Sequence, residues 1–253
     1  IGFDNLMVRL VTFIDGQIMG KLSYKSPALL RDLGAKLALM DKSLQDFPHN
    51  DMAKRNLKWD LSNAEKEITQ KMSSVADLQG GARKTKLIRA FLATYREFAK
   101  NLHTSSELRC ATIHNDANDY NVIVTSDGTQ VAGIIDFGDL VYSKLINNLA
   151  VCCAYAMFDQ KDPVSGLVEV ARGYHAVYPL QKMEIEILFP LACLRICHSV
   201  CASAYEATID PDNPYILVSA RPGWACLEQL SCMDPSKAID RVFTGLQVDD
   251  GKK

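Results

Sequence analysis

The 253-residue chain lacks an excess of charge of either sign: 28 Lys+Arg stand against 30 Asp+Glu, a formal net charge of −2. That excludes the overall basic balance that drives nucleic-acid binding, which needs many cations facing phosphates. The chain also lacks a long unbroken apolar run. The longest, Leu149–Phe158, is bounded by Asn148 and Asp159, is too short to span a bilayer, and reads as a buried helix. Internal repeats and low-complexity segments are missing, which argues against solenoids and tails. The first residues hold Asp4, Arg9 and Asp15 and do not read as the remains of a signal sequence. What is present is 48% hydrophobic and 23% charged residues, the balance of a folded protein with apolar surface to bury. The length is that of one to two domains.

Eight cysteines raise the question of a disulfide scaffold. A chain this long needs no such staples, and the cysteines cluster inside apolar segments. Cys193, Cys197 and Cys201 recur at helical spacing beside His198. One helix stripe cannot wrap a tetrahedral ion without ligands from elsewhere, so these read as free thiols packed as small hydrophobes. Free thiols imply a reducing compartment, and the expected location is cytoplasmic.

Along the chain, Leu6–Ile14 reads as a strand closed by Asp15-Gly16. Ser26-Pro27 then caps a helix carrying Leu29, Leu30, Leu33, Leu37, Met40 and Leu44. A polar loop is expected over 46–56, a helix over Leu57–Val75, a break at 77–83 and a helix over Lys84–His103. The segment 111–121 is polar and mixed. Two short β-type runs, Val122–Thr125 and Gln130–Ile135, flank Asp127-Gly128, a strong hairpin signal because the turn needs positive φ. Helices are expected at 143–158, with Ser143 as N-cap, and at 163–178, 182–206 and 213–231, with a frayed tail at 249–253. His49, His103 and His175 show no partner pattern and read as surface or helix-end residues.

The chemistry concentrates around the hairpin. Before it, Ile113-His114-Asn115-Asp116-Ala117-Asn118-Asp119-Tyr120-Asn121 contains H-x-D-x-x-x-x-N; after it comes Ile134-Ile135-Asp136-Phe137-Gly138-Asp139. The first pattern alone is weak. Followed by a hairpin and Asp-Phe-Gly, it matches the two halves of a phosphoryl-transfer site. The hairpin brings Asn121 and Asp136 side by side as two oxygen ligands, enough for Mg²⁺ when phosphates and water complete its shell. Asp116 remains close enough to reach an acceptor oxygen. The bland alternative is that His114 and Asp116 cap a loop and Asp136 ends a strand.

These stretches, with Leu57-Lys58-Trp59-Asp60-Leu61 and Pro211-Asp212-Asn213-Pro214-Tyr215, resemble the aminoglycoside phosphotransferase/choline kinase-like family, and hydroxylysine kinase-like domains in particular. The resemblance is most specific at 113–139. It implies an α+β fold: a protein-kinase-like C-terminal lobe, mainly helical, with a short β-hairpin carrying the metal ligands. It implies Asp116 as catalytic base, His114 as the structural histidine of the loop, and Asn121 and Asp136 as ligands at the nucleotide phosphates. Asp139 would be a further acid at the metal. The cofactor implied is Mg²⁺ and the phosphate donor ATP or GTP. A protein kinase is disfavoured, because no A-P-E follows and the chain after Gly138 leaves no room for a long activation loop.

The chain departs from that family at its start. It shows no Gly-rich phosphate loop and no strand lysine, Lys21 and Lys25 coming too late, and it opens Ile1-Gly2-Phe3 without Met. The expectation is a remnant of an N-lobe edge strand and hinge at 1–25, a helical C-lobe at 26–248 with catalytic loop and hairpin at 111–139, and a tail at 249–253. On that reading the given stretch is itself inactive. The alternative is a catalytically silent kinase-like binding domain of a larger polypeptide. Trp59, Asp60, Glu206 and Trp224 are candidates for an acceptor pocket, since a cationic amino alcohol wants a carboxylate or an aromatic face. Arg195 and Tyr215 fall in the same helical region. The expected partners are nucleotide and a small-molecule acceptor, with neither nucleic acid nor membrane, and with other enzyme domains fused to or following the chain.

Overall fold

The computed structural model describes residues 10–47 and 51–250. Nine α-helices among them, α1 (Pro27–Leu44), α2 (Ala64–Ala76), α3 (Gly81–Phe98), α4 (Lys100–His103), α5 (Leu145–Ala156), α6 (Pro163–Val177), α7 (Lys182–Ile209), α8 (Ala220–Leu230) and α9 (Pro235–Asp250), surround two small antiparallel sheets. In one, β3 (Val122–Val124) lies between β1 (Gln17–Ile18) and β4 (Val131–Ile134); the other pairs β2 (Cys110–Ile113) with β5 (Val141–Lys144).

α7 is the axis of the core. Its start is fixed by a capping box, in which Gln181 and Glu184 satisfy each other's backbone N–H groups. By length and composition it could cross a membrane, but 94% of its most apolar window is buried by the surrounding helices. Its apolarity is that of a helix covered on every side. α1 starts as its sequence dictates: the Ser26 hydroxyl accepts from Leu29 N–H at 3.1 Å and Pro27 occupies the first turn. α1 crosses α6 at backbone distance. A Cβ on Gly34 would meet the Val170 carbonyl oxygen at 1.9 Å, and one on Gly173 would meet that of Arg31 at 1.9 Å.

The hairpin forms where Asp127-Gly128 directs it, with Gly128 at φ +71° and Val122 opposite Ile134. Other expectations need correction. No strand forms over Leu10–Ile14; Leu6–Arg9 lie outside the described residues. Pairing begins beyond Gly16, where Gln17 faces Val124. Leu10, Val11 and Phe13 are exposed, at 98%, 70% and 88%. Gln17–Lys25 packs onto the helical body: Met19 is in the core and Gly20 N–H donates to the Asp119 carbonyl.

The mixed segment at 111–121 opens with strand β2, and the helix expected from residue 143 is first a strand, β5. Ser143 is therefore not an N-cap; it sits opposite Ala111 and its hydroxyl donates to Asp60 at 2.9 Å. The chain after Gly138 thus runs into a strand before its helix. α2 begins only at Ala64, because Asp60 caps a preceding 3-10 turn by accepting from Ser62 N–H. The helix expected from Lys84 begins at Gly81 and breaks at Ala99, and the one expected over 213–231 is a 3-10 turn at Pro214–Leu217 followed by α8. α9 has no counterpart in the sequence reading. Among its described side chains Ala238, Val242 and Leu246 are buried, and Ile239 and Phe243 pack against the same core. The helix extends through Asp249 and Asp250, where fraying is expected from the sequence; residues 251–253 lie outside the description.

Candidate active site

The loop after β2 carries the first half of the motif. His114 is fully buried; its Nε2–H donates to the Ile135 carbonyl at 3.0 Å and its Nδ1 accepts from Asp116 N–H at 3.3 Å. That pattern assigns one tautomer of a neutral ring. Burial lowers its pKa, opposed by the Ile135 carbonyl and the nearby Asp116, Asp136 and Asp139 carboxylates. The ring also meets Phe137 edge-on at 4.8 Å. His114 therefore ties the loop to the segment after β4.

Asp116 projects from this loop into a cleft. Its Oδ2 accepts from Asn118 and Asn121, both at 3.0 Å, and its Oδ1 from Arg195 at 2.8 Å. An ionised carboxylate offers about four acceptor positions, so one stays open toward the cleft. Burial pushes the Asp116 pKa up, and the Arg195 charge and the Asn118 hydrogen bond draw it back. Arg195 itself is buried in α7, with its guanidinium over the Trp59 ring at 4.7 Å and the Tyr155 ring at 5.6 Å, and with Nη1 donating to the Trp59 carbonyl. Arg195 stands between Leu194 and Ile196 in the apolar middle of α7, where a buried cation must find a carboxylate, and that was the signal for it in the sequence.

Asp136 begins the second half. It holds φ +63°, lines the same cleft as Asp116, and accepts from Gly138 N–H. Arg55, which the sequence did not single out, clamps the following turn by donating to the Gly138 and Leu140 carbonyls. Asn121 lies beside Asp136 along the backbone, because Ile135 N–H donates to the Asn121 carbonyl at 2.9 Å. Asp136 and Asp139 have no basic partner among the described residues. An exposed carboxylate is a donor that suits a hard cation sharing its shell with phosphate and water. Among the described residues no three His, Cys, Asp or Glu side chains converge on one metal position.

The cleft measures about 350 Å³. Of the four acceptor candidates, Trp59 and Glu206 line it, along with Tyr155, Ser203 and Tyr215. Asp60 does not: it is buried and occupied by Ser143, the Ser62 N–H and Asn147. Trp224 does not either; it packs on the core under Lys84, 5.1 Å from its ring. His103 is a helix-end residue, the last of α4, and is not at the surface. It is buried between the Tyr95 hydroxyl and Asn147. His175 bonds the Leu180 N–H, and His49 lies outside the described residues. Cys193, Cys197 and Cys201 are buried free thiols whose pKa values burial pushes up. His198 is buried with both ring nitrogens unpartnered, its ring 4.8 Å from that of Trp59 and tilted by 35°.

Comparison with known proteins agrees with this architecture. Solved structures of the same fold include the GDP complex of an aminoglycoside 2'-phosphotransferase, 18% identical, covering 86% of this chain and 68% of its own with a TM-score of 0.50. Another is an ethanolamine kinase of Plasmodium vivax, 15% identical, covering 85% and 63% with a TM-score of 0.52. The fold is thus mainly helical α+β and protein-kinase-like. The chain belongs to the phosphotransferase enzyme family, whose profile matches residues 3–183. It is similar to hydroxylysine kinase of Bos taurus, 27% identical over 248 residues, 94% of this chain and 64% of that protein. It is also similar to that of Xenopus laevis, 28% identical over 249 residues, 93% and 64%. The chain spans about two thirds of the length of these curated relatives.

Proposed function

We propose that this chain is the catalytic helical lobe of a small-molecule kinase. It moves the terminal phosphate of ATP or GTP to the hydroxyl of an amine-bearing metabolite of the hydroxylysine-like amino alcohol class. The observation that carries this reading is the opening of Asp116 and Asp136 onto one cleft, with Asn121 bonded to Asp116 and paired beside Asp136. The family match and the hydroxylysine kinase relatives support the acceptor class. The buried free thiols support a cytoplasmic location.

Asp116 is the group that would meet the acceptor. Arg195 and the two asparagines hold its carboxylate in one orientation, so its open acceptor position can take the substrate O–H and aim the oxygen in line with the phosphorus. Arg195 weakens Asp116 as a base, which suits a transfer whose transition state is loose and whose catalysis is mostly positioning. Asn121, Asp136 and Asp139 would hold Mg²⁺, which when bound supplies positive charge against the phosphate oxygens. The acceptor's ammonium would lie toward Glu206, a half-buried carboxylate at the cleft without a basic partner among the described residues, and toward the Tyr215 ring.

The test is a screen of the complete protein against amino alcohols, neutral sugars, aminoglycosides and a generic protein substrate, with nucleotide consumption as readout. Hydroxylysine-like compounds should lead. Asp116→Asn should lower kcat at least about a hundredfold with little change in nucleotide KM. Phosphorylation of the protein substrate alone, or an Asp116→Asn enzyme as fast as the wild type, would overturn the reading.

A further inference from the structure

Between His114 and Asp116 stands Asn115, at φ +68° and fully buried. A non-glycine residue in that region is held there by its surroundings. Its own side chain contributes nothing, since neither Oδ1 nor Nδ2 has a partner. Its backbone N–H instead donates to Asn148 Oδ1 at 2.9 Å. Asn148, in α5, is fully buried, and an amide has one accepting and one donating end. Only one of its two orientations turns oxygen toward Asn115.

The orientation is selected from α1. Asp41, also fully buried, accepts from Asn148 Nδ2 at 2.6 Å on one oxygen and from the Tyr174 hydroxyl at 2.7 Å on the other. A carboxylate that only accepts forces the NH₂ end of Asn148 toward itself. We propose that Asp41 is a positioning residue: through Asn148 it fixes the backbone at Asn115 and thereby the place of Asp116. The role rests on the kinase reading above; the hydrogen-bond chain does not.

The groups facing Asp41 agree with this polarity. Tyr174 in α6 and Cys152 in α5 have their pKa values pushed up by burial and by the Asp41 charge, so both stay protonated and Tyr174 can only donate. Arg109 acts on Asp41 at longer range while hydrogen-bonded to Glu184. Burial pushes the Asp41 pKa up to about 7, and the Tyr174 and Asn148 bonds and Arg109 oppose it. At pH 8 Asp41 is therefore mostly an acceptor. A protonated Asp41 could donate to Asn148, let the amide flip, and turn a donor onto Asn115 N–H.

The experiment uses the complete protein at pH 8 with Asp41→Leu, Asn148→Asp and the exchanged pair Asp41→Asn/Asn148→Asp. Asp41→Leu removes both acceptors, and Asn148→Asp sets two carboxylates against each other. The exchanged pair restores every bond, with only the polarity of the central one reversed. The amide now on α1 donates to the carboxylate now on α5, which accepts from Asn115 N–H, while the oxygen of that amide still accepts from the Tyr174 hydroxyl. Each single variant should lower kcat about tenfold or more, with acceptor and nucleotide KM changed by less than about twofold, the scale of one lost positioning bond. The exchanged pair should recover most of kcat. Backbone amide exchange at Asn115 should quicken in the single variants and slow again in the pair. A fold-supporting role alone would lower Tm without that kcat-against-KM split and without rescue by exchange. Wild-type kcat and Asn115 protection in Asp41→Leu would overturn the proposal, as would an exchanged pair no better than Asn148→Asp. If the wild type turns over no acceptor, the kinase reading fails, and amide exchange at Asn115 alone decides whether Asp41 holds the loop.

Discussion

Arg195→Met is the perturbation whose cost can be worked most directly from the structure. The side chain is 2% exposed and pairs with Asp116, itself 22% exposed. Methionine keeps much of the stem's volume and its contact with the Trp59 and Tyr155 rings. It removes the charge, the bond to Asp116 and the bond to the Trp59 carbonyl. Breaking a buried pair by deleting one partner costs about 3–5 kcal/mol, because the other charge stays in a poor solvent. Asp116 opens onto the cleft, where water can replace part of what it loses, so the lower end of about 3 kcal/mol applies. For a chain of this size that is a Tm lowered by about 6–12 °C. The assay is calorimetry or urea unfolding of the wild type, Arg195→Met, Asp116→Asn and the double variant in one buffer. Each single variant strands one member of the pair, so the double should cost clearly less than the sum, with a coupling of about 1–3 kcal/mol. The loss should persist in high salt, since buried pairs are weakly screened. A Tm within about 2 °C of wild type, or strictly additive costs, would refute the claim that Arg195 and Asp116 depend on each other.

Three further outcomes follow from named contacts. Gly34→Ala should be among the most destabilising single changes, by about 3 kcal/mol or more, because its methyl would collide with the Val170 carbonyl and force α1 off α6; unchanged urea unfolding would contradict that close approach. Asp41 has a folded pKa raised to about 7, so its contribution to stability is full below the ordinary carboxylate pKa and is lost as pH rises through 7. Wild type should therefore lose about 2–3 kcal/mol more between pH 5 and pH 8 than Asp41→Asn, measured by unfolding at each pH, and parallel pH profiles would speak against it. The exposed Leu10, Val11 and Phe13 should make this chain self-associate in light scattering, and Leu10→Ser/Phe13→Ser should reduce it. A monodisperse wild-type monomer at high concentration would count against that.

The sequence by itself determined the local features. Ser26-Pro27 set the start of α1 and Asp127-Gly128 set the hairpin, because capping and positive φ are properties of a few adjacent residues. The spacing of His114, Asp116, Asn121 and Asp136 announced a site, because the loop and hairpin that unite them span little chain. The tertiary structure decided what depends on distant partners. β2 and β5 are too short to be told from loop or helix by pattern, and each exists only because the other supplies its hydrogen bonds. Asp60 and Glu206 look alike as single acids beside an aromatic residue, yet one is enclosed by Ser143 and Asn147 and the other lines the cleft. Asn148 stands 107 residues from Asp41 and 33 from Asn115 in sequence, and the three meet only where α1, α5 and the loop pack together. Such a chain of buried polar groups leaves no periodicity to read. It is defined by which side chains are closed off from water and by which single partner each then has within reach.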